Sequence, residues 1–572
     1  MQNNLGKHSR VTIAGDEINL DRLREVTGDK PTYEMLMKHF HIPPQKYFNM
    51  ATDTVDKNAG GSASDRIALI CDRDDRSQVT YSYQDLAALS NNLASFLQKK
   101  GVGKGDVVAC FAGQGIESAM AHLAAYKIGA IVAPLSQLYG PEAVRHVLQD
   151  CNPRVIVTEQ LLWERIATTV EDIGIELAII SDNKEITKNR LDFQSILDIP
   201  ASRDFVSAKT SVNDPALLLY TSGSTGMPKG ILHRQGLLRG YLSSVSLFYE
   251  MHMNEEGQRL WTISDWSWVA GIFNVMLTGW YFGHAVVAGD QKFTPSWTFS
   301  FLEKHSISHC FLTPTALKRL AETKDPRGAW PGIALRAIGT GGEPLPAAVL
   351  EWGQRELGAP INEFYGLTEV NHLIGNCSRL WSIKPGSMGR AYPGHTITVL
   401  DENRVPVKDG VVGEIAARQD DPTLFIEYWQ NESRTRAIQH GEWILTGDYG
   451  YRDEDGYFWY KGREDDLIKS AGYRIGPAEI EDALVSHPEV VEAAVIGVPD
   501  EDRGHAIKAF VSLSNPENAS DQLVTELQNH VKTTLAYFKY PRIVEFVNQF
   551  PLTSTGKINR KELRRQENAQ WN

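Results

Sequence analysis

The segment Tyr220-Thr-Ser-Gly-Ser-Thr-Gly-Met-Pro-Lys-Gly230 concentrates side chains suited to holding phosphate. Between Thr221 and Gly230 it carries four hydroxyls (Thr221, Ser222, Ser224, Thr225), three glycines (Gly223, Gly226, Gly230) and Lys229. Glycines let backbone amides approach phosphate oxygens, hydroxyls add donors and a lysine neutralises charge, so the composition describes a polyphosphate cradle with a nucleotide as its ligand. The kinase-type P-loop ends in Gly-Lys-Ser/Thr. Here Lys229 follows Met227 and Pro228 and precedes Gly230, so the helix-opening hydroxyl that such a loop needs for Mg2+ is missing.

Three further clusters bear on the same chemistry: Thr340-Gly-Gly-Glu-Pro344, Asn362-Glu-Phe-Tyr-Gly-Leu-Thr-Glu369, and Leu445-Thr-Gly-Asp448 with Lys461-Gly-Arg463 after it. A carboxylate such as Glu369 suits Mg2+ shared with phosphate oxygens, because Mg2+ prefers hard oxygen ligands. An aspartate such as Asp448 is a natural bidentate acceptor for ribose hydroxyls. Taken alone, Tyr365–Glu369 also reads as a strand-to-helix turn with Thr368 as a cap, and Gly447-Asp448 as a plain turn.

The elements that must position these residues follow an alternating grammar. From Tyr81 onward, amphipathic helical stretches such as YQDLAALSNNLASFLQKK alternate with short β-rich runs such as DVVACFA, AIVAP and RVIVT. That alternation predicts an α/β protein with parallel-rich sheets. After about residue 390 strand-like runs dominate, predicting a β-rich subdomain to about residue 463. Beyond it VVEAAVIGVPD, IKAFVSLS and RIVEFVNQF interleave with the helical SDQLVTELQNHVKTTL, enough for a small α+β domain. The expected organisation is an irregular lead-in over 1–45, a large domain over 46–463 with the β-rich part at 390–463, and a C-terminal domain over 464–572.

At 572 residues the chain holds about four domains' worth of sequence at roughly 150 each. With 42% apolar and 23% charged residues it has the composition of a globular protein, not a disordered or collagen-like one. The net charge of −13 argues against coating nucleic acid or an anionic membrane. Five scattered cysteines show no CxxC pair or zinc spacing, so reduced thiols in the cytoplasm are expected. The apolar segment 269–288 contains three glycines, a histidine and an asparagine and reads as a buried helix or strand pair, not a membrane span.

The phosphate-loop residues, the two glutamate-bearing motifs and the Thr-Gly-Asp motif occur in the order found in the adenylate-forming (ANL) superfamily. Over residues 45–565 the chain resembles its acyl-CoA synthetases, closest to the medium-chain type. The resemblance implies an ATP site formed by Thr221, Ser222, Gly223, Ser224, Thr225, Gly226, Met227, Pro228, Lys229, Gly342, Glu343, Pro344, Glu363, Phe364, Tyr365, Gly366, Leu367, Thr368, Asp448, Arg463 and Lys557. In it Tyr365 lies against the base, Thr368 near the α-phosphate, Glu369 and Thr225 at Mg2+, and Asp448 with Arg463 on the ribose. Asp465 falls at the superfamily's hinge. Ser470-Ala-Gly-Tyr-Arg474 resembles the pantetheine-tunnel loop, with Arg474 reaching the phosphate or carboxylate region. Pro551-Leu-Thr-Ser-Thr-Gly-Lys557 resembles the C-terminal motif whose lysine, here Lys557, engages the carboxylate and α-phosphate during adenylation.

The implied reaction starts when the acid's oxyanion attacks the α-phosphorus of ATP and pyrophosphate leaves; a thiol then attacks the acyl-adenylate and AMP leaves. The developing charge falls to Lys557, Mg2+ and the loop donors. Gln137, Ala471, Gly472, Tyr473, Arg503, Lys532, Tyr540, Pro541 and Arg542 match positions that contact CoA in the medium-chain enzymes, which favours free CoA as acceptor; the loop departs from the commoner pattern in carrying Ala471. Ser264-Asp-Trp-Ser-Trp-Val-Ala-Gly271 resembles one wall of the acyl pocket and puts Trp268 and Val269 near the acid. Acetate-specific relatives carry a pocket-shortening Trp where this chain has Gly366, so the resemblance implies a medium-chain or aryl carboxylate. Short or branched acids, a carrier-protein acceptor and a luciferase-like oxygenase remain the alternatives. ATP, CoA and a small carboxylic acid are the expected partners of a cytoplasmic monomer or homodimer.

Overall fold

The computed structural model describes residues 13–14, 32–72, 77–183, 185–201, 205–221, 227–289, 293–463, 466–470, 473–500, 504–535, 539–552 and 558–571. The chain divides into two compact units, Met1–Thr396 with Ala417–Glu442, and Ile397–Ala416 with Trp443–Asn572.

The first unit is built on two sheets whose interior strands are parallel, as the alternating sequence predicts. In one, the order from edge to edge is Glu427–Tyr428, Lys229–Arg234, Pro215–Thr221, Ile131–Pro134, Val107–Phe111, Val155–Glu159, Leu177–Ser181 and Arg190–Asp192. It is parallel from Pro215–Thr221 onward, and its first two pairings are antiparallel. The other runs Gly389–Ala391, Asn371–Gly375, Ile361–Leu367, Ala337–Gly341, His309–Phe311, Arg259–Thr262, Ala285–Gly289, Ile67–Asp72 and Gln78–Ser82. Its central strands are parallel and its edges antiparallel. Both faces of such sheets are covered, so strands such as Val107–Phe111 are apolar and buried throughout. Ala109, Phe111, Ile156, Ile180 and Leu218 form one core, and Val287, Phe299, Cys310, Ile338 and Ile361 another.

Helix boundaries follow capping chemistry. Ser82 caps Tyr83–Lys99 with a full capping box to Asp85, and Leu86, Leu93, Ala94 and Leu97 face the core. The segment 269–288 resolves into a buried helical run to Tyr281 and the strand Ala285–Gly289. Among the described residues no helix is long and apolar enough to cross a membrane. The expected irregular lead-in is corrected in one respect: Thr32 caps a helix over Tyr33–His39. Tyr33 Oη donates to the Ala391 carbonyl at 2.9 Å and Arg239 donates to the Pro43 carbonyl at 2.7 Å, which fastens this segment to the body. All five cysteines are free and buried; burial pushes the Cys110 and Cys151 thiols up to about 12, which leaves them unreactive at neutral pH.

The second unit contains the strands Ile397–Leu400, Gly413–Arg418, Trp443–Arg452 and Tyr457–Arg463, in that spatial order. It also holds a three-stranded sheet of Val490–Asp500, Gly504–Leu513 and Ile543–Phe546. Helices Pro477–Val485 and Asp521–Thr534 pack on that sheet through Ile480, Leu484, Leu527 and Val531 against Val495 and Ala509. The molecule is thus a mixed α/β protein with a large parallel-sheet region and a small α+β C-terminal region.

Candidate active site

The strands on either side of the phosphate-loop motif pair with each other. Strands Pro215–Thr221 and Lys229–Arg234 pair antiparallel with Thr221 opposite Lys229. A Walker A loop opens a helix, so this topology agrees with its rejection from the residue order. The base of the hairpin is pinned on several sides. Tyr139 Oη donates to the Tyr220 carbonyl at 2.9 Å, Tyr220 Oη donates to Asp150 Oδ2 at 2.6 Å, and His146 Nε2 lies 2.9 Å from the Pro228 carbonyl. Trp429 N donates to the Gly230 carbonyl at 2.8 Å, and a Cβ at Gly230 would stand 2.7 Å from that of Trp429, so glycine permits the approach. Met227 is exposed and Lys229 half-buried. Ser222, Gly223, Ser224, Thr225 and Gly226 lie outside the described residues.

The two glutamate-bearing motifs are neighbours in one sheet. Thr340 pairs with Glu363 and Gly341 with Phe364 on the parallel strands Ala337–Gly341 and Ile361–Leu367. Gly342, at φ +90°, turns the chain out of the first strand before Glu343 and Pro344. Thr315 Oγ1 donates to Glu343 Oε2 at 2.7 Å, and Leu345 N donates to Glu363 Oε1 at 3.3 Å. The alternative of a strand-to-helix turn at Tyr365–Glu369 is corrected: Thr368, Glu369 and Val370 connect two antiparallel strands, Ile361–Leu367 and Asn371–Gly375. Glu363 through Glu369 are half-buried along one segment.

Glu369 is held at both ends of its residue. Phe425 N donates to its carbonyl at 2.9 Å, and Tyr428 Oη donates to Oε1 at 2.7 Å. Oε2 has no protein donor among the described residues, so the carboxylate keeps an oxygen for a hard cation or its water.

Gly366 has a tighter constraint than the sequence reveals. The ladder is irregular between Tyr365 and Gly366, and a Cβ at position 366 would lie 1.6 Å from the Asn371 carbonyl oxygen. Glycine there is demanded by backbone approach as well as by any space it leaves. Beside it, His372 lies face-near Phe364 with centroids 3.7 Å apart, and Tyr241 sits 4.5 Å from His372 and stacks on Phe273 at 4.9 Å. Burial pushes the His372 ring well below the ordinary histidine range, so it is neutral. Phe273 lies four residues beyond Val269, so an aromatic chain runs from the Trp268–Val269 segment to Gly366. Tyr241 and His372 escaped the sequence reading; a histidine three residues after Glu369 was their one signal. Trp268 and Val269 are half-buried, as is Gln137 in the loop after strand Ile131–Pro134.

In the second unit Asp448 and Arg463 stand opposite each other on paired strands, with Arg463 Nε 3.5 Å from Asp448 Oδ1. Gly447, at φ +72°, donates its N–H to Glu414 Oε1 at 2.9 Å, and the Asp448 N–H donates to Thr446 Oγ1 at 3.1 Å; these bonds fix the turn that presents the carboxylate. Three of the expected CoA-contact residues form one cluster. Lys532 Nζ sits 4.1 Å from the Tyr540 ring centroid, the Arg542 guanidinium 4.9 Å from it, and Arg542 also donates to Tyr540 Oη at 2.9 Å. Pro541 between them is buried. Among the described residues no carboxylate pairs with either cation, so the cluster keeps its positive charge for an anion. Asp465, Ala471, Gly472, Arg503 and Lys557 lie outside the described residues; Tyr473 and Arg474 occupy the strand Tyr473–Ile475, and their side chains lie outside the description.

The AMP-binding enzyme family matches residues 55–429, and the AMP-binding enzyme C-terminal domain matches residues 479–557. The chain is 33% identical over 535 residues to a protein of Bacillus subtilis (strain 168) named an uncharacterized acyl-CoA ligase, YtcI, covering 93% of this chain and 98% of that one. It is 35% identical over 541 residues to the mitochondrial acyl-coenzyme A synthetase ACSM4 of Mus musculus, covering 92% and 91%. Among solved structures, the anthranilate CoA ligase AuaEII in complex with anthranoyl-AMP superposes with a TM-score of 0.82 at 27% identity, over 92% of this chain and 99% of that one. With the paired motifs and the hairpin in place, these matches establish that the chain belongs to the AMP-binding enzyme family, as an AMP-forming acyl-CoA synthetase of the adenylate-forming superfamily.

Proposed function

We propose that this enzyme joins a medium-chain or aryl carboxylate to CoA, using Mg2+-ATP, in the cytoplasm and as a monomer or homodimer. The observation that carries the nucleotide part is the adjacency of Gly341–Pro344 with Glu363–Glu369, with one carboxylate oxygen of Glu369 left without a protein donor among the described residues. Glu369, together with Thr225, would hold Mg2+, whose charge lowers the cost of placing a carboxylate against a triphosphate. In this reading Tyr365 bears on the base and Thr368 on the α-phosphate, Asp448 accepts from the ribose hydroxyls with Arg463 beside it, and the hairpin residues Thr221–Lys229 receive the polyphosphate.

The acid's oxygen forms its bond to the α-phosphorus while the bond to pyrophosphate breaks, and Lys557 and Arg474 meet the charge on the carboxylate and phosphate. The domain carrying Lys557 then turns about Asp465. The CoA thiol, guided by Gln137 and the Ala471–Tyr473 loop, attacks the acyl carbonyl and loses its proton as the bond to AMP breaks. Lys532, Arg542, Tyr540, Pro541 and Arg503 take the CoA phosphates. No protein nucleophile is required, since the adenylate is already an activated acyl donor.

The choice of acid is supported by Gly366, which puts no side chain where acetate-specific relatives carry a Trp, and by the aromatic chain Phe273–Tyr241–His372–Phe364 next to it. AuaEII, a structural relative, is a ligase of an aryl acid. A short or branched acid is the second reading, favoured by how completely Tyr241 and Phe273 are buried. The test is pyrophosphate release and AMP formation over acids from acetate to decanoate and benzoate, each with and without CoA. Turnover that needs CoA and peaks at medium-chain or aryl acids is expected; a peak at acetate, or adenylate formation without CoA consumption, would overturn the reading.

A further inference from the structure

Asp265 lies in the connection after the strand Arg259–Thr262 of one sheet, yet its carboxylate reaches the loop after Ile131–Pro134 of the other. Oδ2 accepts from the Gln137 N–H at 3.2 Å and from Ser136 Oγ at 3.3 Å, while Oδ1 accepts from the Ser267 N–H at 3.1 Å. Its backbone carbonyl accepts from the Trp268 N–H at 3.1 Å. Among the described residues no lysine, arginine or histidine pairs with it, so burial holds its carboxyl above the ordinary aspartate range against these donors. A half-buried carboxylate without a cation partner is costly to keep, and here its oxygens accept from two loops that meet at the carboxyl ends of two sheets.

The surroundings are built to the same end. Gln114 Nε2 donates to the Thr262 and Ser264 carbonyls at 2.9 and 2.8 Å, and a Cβ on Gly271 would strike the Asp265 carbonyl oxygen at 2.5 Å. On the far side of Gln137, Arg165 donates to its carbonyl at 3.1 Å and to that of Tyr139 at 2.8 Å. The Gln137 backbone is therefore gripped at its N–H by Asp265 and at its carbonyl by Arg165.

We infer that Asp265 is a positioning residue that sets the Gln137 loop, on the thiol side, against the Trp268–Val269 wall, on the acid side, so that one carboxylate fixes the spacing between the two substrates of the thioester-forming step. The inference rests on the proposed roles of Gln137, Trp268 and Val269. Its chemistry is mechanical: misplacing either loop moves the thiol relative to the acyl carbonyl, and misplacements of about 1 Å cost rate steeply. ATP, whose hairpin is held by other bonds, is outside its reach.

The test uses the full-length enzyme with Asp265→Asn, which cannot accept on both sides, and Asp265→Glu, which keeps the charge but lengthens the arm. Apparent KM values are taken for ATP and acid by pyrophosphate exchange and for CoA by thioester formation. A rise of about ten-fold for CoA and for acid, with ATP within two-fold, is expected for both variants. Equal shifts in all three, an unmoved CoA value, or loss of folding in both variants would make Asp265 a fold residue and overturn the inference. A wild-type enzyme that shows no CoA-dependent turnover with any acid overturns the underlying functional reading instead, and is recognised before the variants are compared.

Discussion

Tyr428 Oη donates a 2.7 Å hydrogen bond to Oε1 of Glu369, joining a strand of one sheet of the first unit to a turn between two strands of the other. Tyr428 sits on the short edge strand that extends the phosphate hairpin, with Ile231 as its Cα partner, while Glu369 follows the strand carrying Tyr365. The bond therefore ties the hairpin's sheet to the carboxylate proposed for Mg2+. Tyr428→Phe removes one charge-assisted bond, worth about 1.5–3 kcal/mol, without changing the ring. The Mg2+ concentration for half-maximal adenylation should rise about three- to ten-fold, and Mn2+ binding in the presence of ATP should weaken in parallel. Unchanged metal binding would separate Tyr428 from the metal site.

Asp448 faces Arg463 across paired strands, and its side chain is largely buried while that of Arg463 is mostly exposed. A buried acceptor presented by a fixed turn suits a pair of ribose hydroxyls. Asp448→Asn keeps the shape and removes the charge, so the KM for ATP should rise about ten-fold with little change in thermal midpoint. Comparable turnover with 2′-deoxy-ATP in wild type and variant alike would argue against the ribose role.

The Lys532–Tyr540–Arg542 cluster predicts an electrostatic signature. With no carboxylate paired to either cation among the described residues, both are available to phosphate, and their attraction should fade as salt rises. Lys532→Gln with Arg542→Gln should raise the KM for CoA about ten-fold and flatten its dependence on ionic strength, with pyrophosphate exchange unaffected. A KM for CoA that keeps its wild-type salt dependence would place the CoA phosphates elsewhere.

Much of the fold was legible because each strand carries its own evidence: the apolar runs at Val107–Phe111 and Val155–Glu159 and the capping box at Ser82 are local signals. The apolar strand before Thr221 and the residue types of the loop after it were legible in composition, but the antiparallel return at Lys229–Arg234 was not. What escaped reading depends on pairing between distant residues. Nothing local says that Thr340 lies beside Glu363, or that Glu369 leads into a second strand. Asp265 was hidden inside an aromatic-rich wall motif, where its neighbours drew attention to packing and its partners come from a loop about 130 residues earlier. Thr32, a single cap at the head of a seven-residue helix, was too short a signal amid polar sequence.

Gly366 limits how the acyl pocket can be probed. Because a Cβ there meets the Asn371 carbonyl oxygen at 1.6 Å, even Gly366→Ala forces the hairpin apart, and a loss of about 2–4 kcal/mol is expected from backbone displacement. A thermal melt would register this as a lowered midpoint. Pocket length is better tested at half-buried Val269, where Val269→Phe adds volume without a backbone clash at position 366. Acid preference should then move toward shorter chains with the melt little changed; an unchanged profile would remove Val269 from the acyl wall.

Glu479 opens the helix Pro477–Val485 and accepts from Lys461 at 2.8 Å and Lys539 at 2.9 Å through one oxygen. Burial pushes its carboxyl up, but the two lysines outweigh that, and the net position is below the ordinary glutamate range. A carboxylate with a depressed pKa in the folded state stabilises it above the unfolded-state pKa, and the contribution is lost as pH falls through the folded value. Wild-type stability should therefore decline on the acid side of the ordinary glutamate range. Glu479→Gln leaves two lysines sharing a neutral amide, and at pH 7 it should cost about 2 kcal/mol, less than a fully buried pair because all three side chains keep some exposure to water. Unfolding midpoints from pH 7 to pH 3.5 should converge for the two proteins as the wild-type carboxylate takes up its proton. Parallel curves over that range would mean that the lysines do not depend on the Glu479 charge.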